Sequence, residues 1–446
     1  MIPLDNLYEW IAGLIPDTVI YHFNPHGSKN IEHLHQVDMS TRHMSFRDHM
    51  LAVPVICYDQ EPLDWHLYAN IEWQQIRAHY VRNWPVSVFV DPSLSDSVWK
   101  HRATYNLAAL TQTSCFDRHV LLHSEQRSQQ IELYDRNGFE PAYWWNHALL
   151  ARDWYRYAEW DSKLRYDSRQ MYQFDFNVYS RAWQGTREYR IYLLSQVLHA
   201  GLEHRCRVSF CDKDGGNHYL QHGFVNQRFK NHAVMPWVNN AIASDMSARY
   251  DQHHYNLCAI DVVLETLFDD HRLHLTEKIL RPMACGKPFL LAATSGSLAY
   301  LRSYGFVTFG DIIDESYDQE IDAVARIHKI VNEMRRISDL PEHQRQQLIR
   351  GLHRRAAYNR EWFFSDQFRD KVVSELHCNL TRAVGKVREH HATGRRWWQE
   401  RKDLGARLRH EMDRICDQEI HAGSTSSIRA DVAQLLQHCR SQRCRH

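Results

Sequence analysis

The chain has 446 residues, carries 54 Lys and Arg against 54 Asp and Glu, and is 43% hydrophobic. This balance is typical of globular proteins and excludes a disordered or fibrous chain. Zero formal net charge removes the basic pI that marks many nucleic-acid binders, but it leaves room for a local basic face. The length favours about two to three domains.

Features that would direct the chain to a membrane or an oxidising compartment are not seen in the sequence. The longest apolar stretches, such as Leu51–Tyr58, fall far short of the ~18–20 residues of a membrane-spanning helix. The N-terminus lacks the basic region and the small-residue cleavage site of a signal peptide. The 10 cysteines are scattered and form no CxxC pair. We therefore expect a cytoplasmic protein with no membrane span.

The first 165 residues alternate short β-branched runs with longer segments that can hold crossover helices. This pattern predicts an α/β domain with a parallel sheet. A polar, aromatic stretch at Trp160–Tyr172 then interrupts the pattern, so we place a domain boundary at 165/166. The predicted strands are Thr18–Phe23, Pro54–Tyr58, Val86–Val90 and His119–His123.

A second α/β series follows and predicts a second domain over residues 166–350. Closing helices are expected over 351–384, and a basic helical tail over 385–446. Two such domains in tandem predict a cleft between the sheets, with ligands at the C-terminal ends of parallel strands. The predicted strands are Phe174–Tyr179, Arg205–Phe210, Ile260–Leu264, Pro288–Ala293 and Phe306–Phe309, and the predicted helices are Arg187–His199, Glu277–Cys285 and Ser297–Tyr304.

The densest signal for a binding site lies in the segment 255–288. An apolar strand ends at Glu265, and after a loop Thr276 occupies the N-cap position of a helix that begins with Glu277 and Lys278. The helix N-terminus and the lysine ammonium favour an anionic ligand, and either carboxylate can accept the hydroxyls of a ribose or a sugar ring. The alternative is a helix cap beside a solvated lysine.

Arginines follow the first predicted strand of the second domain, in the segment SRAWQGTREYR at 180–190. Arg181 and Arg187 are the candidates for binding phosphate, since a guanidinium pairs well with phosphate oxygens, and Arg190 lies one turn further along. Gly185 permits a tight turn from strand to helix. The alternative is the basic start of a surface helix.

Asp59 and Glu61 directly follow a buried strand of the first domain and are the candidates for a general base. Acids at the C-terminal end of a parallel strand face the cleft, where one of them could deprotonate an acceptor hydroxyl. They could instead cap the next helix or pair with an arginine.

Weaker candidates for acceptor contacts occur in three other places. His26 and Gly27 lie in a loop after the first strand, and Glu125 follows the fourth. Asp153 and Trp154 belong to an aromatic cluster that could stack on a sugar or a base. The alternatives are an ordinary loop, a first-turn acid of a helix, and core or interdomain packing.

The segment through Glu265, Thr276, Glu277 and Lys278 resembles the donor-binding segment of GT-B glycosyltransferases of the α1,3-fucosyltransferase type. The adjoining residues 286–318, together with DQEPL at 59–63, are similar to phage-encoded glycosyltransferase-like proteins, a likeness that spans roughly residues 15–320. The resemblance implies a GT-B fold with two Rossmann-like domains facing a central cleft, with Glu277 on the nucleotide ribose and Lys278 on the diphosphate.

The resemblance further implies a hexosyl- or pentosyltransferase that uses a nucleotide-sugar donor, inverts the anomeric centre and needs no metal or other cofactor. Under that reading Asp212 and Asp214 form a turn, although a DxD pair would hold a divalent cation in a GT-A enzyme. The histidines lack the spacing of a metal triad.

The likeness to phage proteins implies a hydroxymethylated pyrimidine in DNA as the acceptor. The basic tail, with Trp397 and Trp398, could contact the duplex backbone. A glycan or a small metabolite is the alternative acceptor. A non-catalytic nucleotide or nucleic-acid binding protein on the same scaffold is the alternative function.

Overall fold

The computed structural model describes residues 7–15, 18–23, 34–36, 53–58, 62–63, 118–136, 138–239, 247–390 and 392–393. The chain divides into two compact units, one of residues 1–91 with 119–385 and the other of residues 92–118 with 386–446. Of the second unit, the described residues 386–390 and 392–393 are helical. The predicted strand Val86–Val90, the acids Asp59 and Glu61, and His26 and Gly27 lie outside the described residues, as does the tail beyond 393.

The first sheet is mainly parallel. Its strand order is β2-β1-β3-β4-β5, and only β2 runs antiparallel to its neighbour. The strands are β1 (Thr18–Phe23), β2 (Leu34–Gln36), β3 (Val53–Tyr58), β4 (His119–His123) and β5 (Phe139–Tyr143). Residues 120–123 of β4 are all buried, as expected for a parallel strand covered on both faces. The described helices of this part are α1 (Leu7–Leu14), α2 (Gln129–Arg136) and α3 (Asn146–Trp154).

The second sheet is entirely parallel, with the order β11-β10-β6-β7. Its strands are β6 (Phe174–Ser180), β7 (Cys206–Phe210), β10 (Cys258–Leu264) and β11 (Phe289–Ala292), and a separate hairpin pairs β8 (Lys213–Asp214) with β9 (Asn217–His218). All seven residues of β10 are buried. The described part of the chain is therefore an α/β protein with two parallel sheets.

Helices follow the strands of the second sheet and continue beyond it. They are α4 (Tyr189–His199), α5 (Gln252–Leu257), α6 (Glu277–Ala284), α7 (Ser297–Ser303), α8 (Ala323–Ser338) and α9 (Glu342–Phe364), and residues 366–390 are also helical. The helix α6 ends in a Schellman motif, since the Gly286 N–H donates to the Met283 carbonyl and the Lys287 N–H to the Pro282 carbonyl. Gly286 has a φ of 64°, which a glycine adopts without strain. No described helix is long and apolar enough to cross a bilayer.

Most predicted elements are confirmed, two of them (Thr18–Phe23 and His119–His123) with the same bounds, but the strand predicted at Phe306–Phe309 is wrong. These residues have no strand partner, and the side chain of Asn359 forms hydrogen bonds with the backbone of Val307 instead. The Val307 N–H donates to Asn359 Oδ1 at 2.9 Å, and Asn359 Nδ2 donates to the Val307 carbonyl at 2.8 Å. A side-chain amide from α9 thus takes the place of a neighbouring strand.

Candidate functional site

The strand order of the second sheet reverses between β6 and β10. The chain passes from β6 outward to β7 and then returns to place β10 on the other side of β6. The loops that leave the C-terminal ends of these two strands therefore diverge. In open α/β sheets the crevice at such a reversal is the usual ligand site. Ser180 ends β6 and Leu264 ends β10, so the predicted donor residues begin at this point.

Glu265, the first residue after β10, is fully buried and holds the loop that follows it. Its Oε1 accepts the N–H of Thr276 at 3.0 Å, and its Oε2 accepts the Thr276 hydroxyl at 2.8 Å. Burial raises the pKa of Glu265, an effect that Lys278 and Thr276 oppose. The carboxylate therefore closes the loop 265–276 and fixes the start of α6.

Thr276 caps α6 as predicted, because its Oγ1 accepts the N–H of Lys278 at 3.3 Å. The ammonium of Lys278 lies 2.9 Å from Glu277 Oε1, 3.1 Å from Thr276 Oγ1 and 3.5 Å from Thr266 Oγ1. The Lys278 side chain is 26% exposed. The partly exposed ammonium of Lys278 therefore lies closest to the Glu277 carboxylate and also contacts the hydroxyls of Thr276 and Thr266.

Glu277 connects this cluster to the first sheet. Its Oε2 lies 3.5 Å from Nε2 of His147, a buried residue in the first turn of α3. Burial alone would raise the pKa of Glu277, but Lys278, His147 and Arg281 outweigh it and lower the pKa to about 2. Glu277 is therefore a carboxylate at any physiological pH. The sequence contains no signal that would have identified His147, since it belongs to an apolar aromatic stretch.

The three arginines after β6 lie in different environments. Arg181 is exposed, Arg187 is half-buried, and Arg190 is buried. Arg190 Nη2 donates to the carbonyls of Leu264 and Glu265 at 2.8 and 3.0 Å, and burial lowers its pKa. Arg190 therefore stabilises the end of β10 and is not a surface residue.

Tyr189, two residues after Arg187, contacts the same strand end. Tyr189 donates its hydroxyl to the carbonyl of Glu265 at 2.7 Å. Burial raises the pKa of Tyr189 to about 12, and the charges of Arg190 and Arg187 act against that rise. Tyr189 and Arg190 thus join the segment that follows β6 to the start of the loop 265–276, and Arg181 and Arg187 stay predicted phosphate-binding residues.

The loop 265–276 also contacts the C-terminal edge of the first sheet. Gln126 and Leu273 exchange two backbone hydrogen bonds, each of 2.9 Å. The Ser124 hydroxyl lies 3.3 Å from Nδ1 of His274. Trp145, which follows β5, donates its indole N–H to the carbonyl of Leu275 at 2.8 Å. One loop therefore carries the predicted donor-binding residues Glu265 and Thr276 at its ends and first-sheet contacts in its second half.

Glu125 lies at this junction, and its side chain is 1% exposed. Its Oε1 accepts a hydrogen bond from Arg272 Nη1 at 3.0 Å. Burial raises the pKa of Glu125 to about 7, although Arg272 opposes the shift. Glu125 was predicted from the sequence as a candidate for acceptor contacts. No sequence pattern predicted that it pairs with Arg272.

The other two acceptor candidates of the first domain lie at the far end of α3 from His147. Asp153 pairs with Arg156 one turn on, at 3.2 Å. Trp154 is half-buried at the last position of the helix. Among the described contacts, neither residue touches the cluster of Glu265, Thr276, Glu277 and Lys278.

The DxD segment leads into a hairpin, in which Asp214 ends β8 and Gly215 and Gly216 form the turn. Asp214 Oδ2 accepts the N–H groups of Trp183 and Gln184 at 2.8 and 2.9 Å, so it fixes the loop after β6. Among the described residues, no group of three or more His, Cys, Asp or Glu side chains could hold a metal ion.

No protein-family model, no curated protein and no solved structure matches this chain.

Proposed function

We propose that the chain is a glycosyltransferase of the GT-B type that transfers a sugar from a nucleoside diphosphate donor to a hydroxyl group. The observation that carries the proposal is the cluster of Glu265, Thr276, Glu277 and Lys278 at the strand-order reversal of the second sheet. Its partly exposed ammonium, beside two threonine hydroxyls and a helix N-terminus, suits a phosphate oxygen.

In the proposed reaction, a carboxylate at the edge of the first sheet accepts the proton of the acceptor hydroxyl. Asp59 and Glu61 are the sequence candidates for this base. The acceptor oxygen bonds to the anomeric carbon while the bond from that carbon to the diphosphate oxygen breaks. The electron pair leaves with the nucleoside diphosphate, whose charge Lys278 and Arg187 would neutralise.

The first experiment is a thermal-shift screen with UDP, GDP, TDP, CDP and ADP. A ligand that binds only the folded state adds about 2.7 kcal/mol of stability at a hundredfold excess over its Kd. We expect one diphosphate to raise the Tm of the wild-type protein and of Lys329→Met, a control on the second-domain helix α8, and not of Lys278→Met. If no diphosphate raises the Tm, the proposal is overturned.

The diphosphate identified in that screen defines the donors for a transfer assay. The acceptor that we propose to offer first is DNA with hydroxymethylated pyrimidines, followed by glycans. Glu61→Gln and Asp59→Asn should retain diphosphate binding, and the variant that has lost the base should lose transfer. Diphosphate binding without any transfer would favour a non-catalytic nucleotide-binding protein.

A further inference from the structure

Arg272 joins three parts of the chain that are distant in sequence. Its Nη1 donates to Glu125 Oε1 at 3.0 Å and to the carbonyl of Leu63 at 2.9 Å. Its Nε and Nη2 donate to Asp270 at 2.9 and 2.6 Å, which orients the guanidinium. One side chain of the donor loop thus holds the segments that follow β3 and β4 of the first sheet.

We propose that Arg272 is a positioning residue that couples donor binding to the acceptor side of the site. The inference rests on the proposed function, because it takes Lys278 as the phosphate contact and the edge of the first sheet as the source of the base. Arg272 itself neither touches the donor nor removes the proton.

The coupling follows from how the loop 265–276 is held. Glu265 closes the loop at its base by binding both polar groups of Thr276, the residue that also contacts the ammonium of Lys278. A diphosphate that draws Lys278 away from Thr276 changes the contacts at this closure. Arg272 lies four residues before Thr276 in the same closed loop, so the change is transmitted to its partners.

On the side of the proposed sugar acceptor, the group that Arg272 binds is the carbonyl of Leu63. Leu63 is buried and lies two residues after Glu61, one of the two predicted bases. An arginine that binds the Leu63 carbonyl therefore holds the chain two residues after this predicted base.

Glu125 makes this contact dependent on pH. The groups that act on its carboxylate are Arg272 and Asp270 from the donor loop, the Ser128 hydroxyl and the Leu63 backbone, and its own N–H donates to His123. Since its pKa is about 7, the carboxylate takes up a proton as the pH falls below neutrality. The attraction for Arg272 then weakens, so the coupling should be stronger at pH 8 than at pH 6.

Hydrogen exchange tests the coupling directly, with the nucleoside diphosphate from the screen as the probe. In the wild-type protein we expect the diphosphate to slow exchange in residues 265–285 and also in 53–63 and 119–126. In Arg272→Gln, the protection of 265–285 should persist, and that of the two first-sheet segments should fall by about fivefold or more, the low end of ordinary allosteric coupling. Arg272→Lys should fall between the two, because an ammonium cannot reproduce the fork of a guanidinium.

A matched control exists in the exposed pair of Arg169 and Asp167. Arg169 donates through Nε and Nη2 to the aspartate two residues before it, as Arg272 does to Asp270, but it is 88% exposed. Arg169→Gln should behave like the wild-type protein. If Arg272→Gln does not fold, Glu125→Gln replaces it, since that variant keeps Arg272 and Asp270 and removes only the first-sheet one of the two charges that attract the guanidinium.

The results separate the two proposals. Diphosphate-induced protection of 53–63 and 119–126 that is unchanged in a folded Arg272→Gln or Glu125→Gln overturns the role of Arg272. Protection confined to 265–285 in the wild-type protein overturns it as well, while the proposed nucleotide site stands. A wild-type protein that binds no diphosphate overturns both proposals.

Discussion

The carboxylate of Glu265 binds both polar groups of Thr276, the backbone N–H at 3.0 Å and the hydroxyl at 2.8 Å, across a loop of ten residues. The Thr276 hydroxyl also accepts the N–H of Lys278 and therefore caps α6. One hydroxyl thus closes the loop 265–276 and caps the start of α6. Its loss should affect both.

We therefore expect Thr276→Val to lower the free energy of unfolding by about 1–3 kcal/mol. Valine keeps the shape of threonine but leaves the first turn of α6 without its cap and the buried Glu265 with one hydrogen bond fewer. Urea denaturation measures the change. Thr276→Ser keeps the hydroxyl and should stay within about 1 kcal/mol of the wild-type protein. Equal loss in the two variants would contradict the assignment of the loss to the hydroxyl, because serine retains it.

Glu277 should make the protein sensitive to acid. Its pKa is lowered from 4.5 to about 2, so the carboxylate stabilises the fold above pH 4.5 and this contribution is lost as the pH falls towards 2. Each unit of pKa shift corresponds to about 1.4 kcal/mol. We expect the stability of Glu277→Gln, measured in urea from pH 6 to pH 3, to approach that of the wild-type protein as the pH falls.

The control for this experiment is Glu132→Gln, which removes an exposed acid on α2 whose partner is Arg136 one turn away. The free energy of unfolding of Glu132→Gln should differ little from that of the wild-type protein across the same pH range. A gap between Glu277→Gln and the wild-type protein that does not narrow below pH 4.5 would contradict the ion pairs described for Glu277.

The strands could be predicted where the sequence carries a continuous apolar run. β4 was predicted with its observed bounds, because His119–His123 is rich in Val and Leu and is buried on both faces. β5 was missed because FEPAY contains a glutamate and a proline. It forms at the edge of the first sheet, where a proline can be accommodated without loss of a ladder bond on the open side.

The site could be predicted only where its residues are local in sequence. Thr276, Glu277 and Lys278 form a helix-start signal, so their arrangement could be read directly. His147 lies 130 positions before Glu277, and Arg272 lies 147 positions after Glu125, so only the packing of the two sheets brings these pairs together. Nothing in the segments around His147 and Arg272 marks them as members of a site.

Glu125 should have the opposite pH dependence to Glu277. Burial raises its pKa from 4.5 to about 7, so its contribution to stability is greatest below pH 4.5 and is lost as the pH rises towards 7. Glu125→Gln should therefore gain stability relative to the wild-type protein between pH 4.5 and 7, with a constant difference above that range. Urea denaturation across this range measures the gain.

The arginine variant supplies the check on that interpretation. Arg272 opposes the rise in the pKa of Glu125, so Arg272→Gln should shift the pH dependence of Glu125 to still higher pH. Arg169→Gln should not. A shift to lower pH in Arg272→Gln would mean that the charge of Arg272 does not act on Glu125.

Asn359 should be needed for the stability of the segment that was wrongly predicted as a strand. Asn359→Ala would leave the N–H and the carbonyl of Val307 without their side-chain partner. We expect a loss of about 1–3 kcal/mol in urea denaturation, the usual result of removing one partner from a buried hydrogen bond. Asn332→Ala, at an exposed position on α8, is the control and should lie within about 0.5 kcal/mol of the wild-type protein. Equal stability of the two alanine variants would mean that water satisfies the Val307 backbone, and the amide of Asn359 would then be no substitute for a strand.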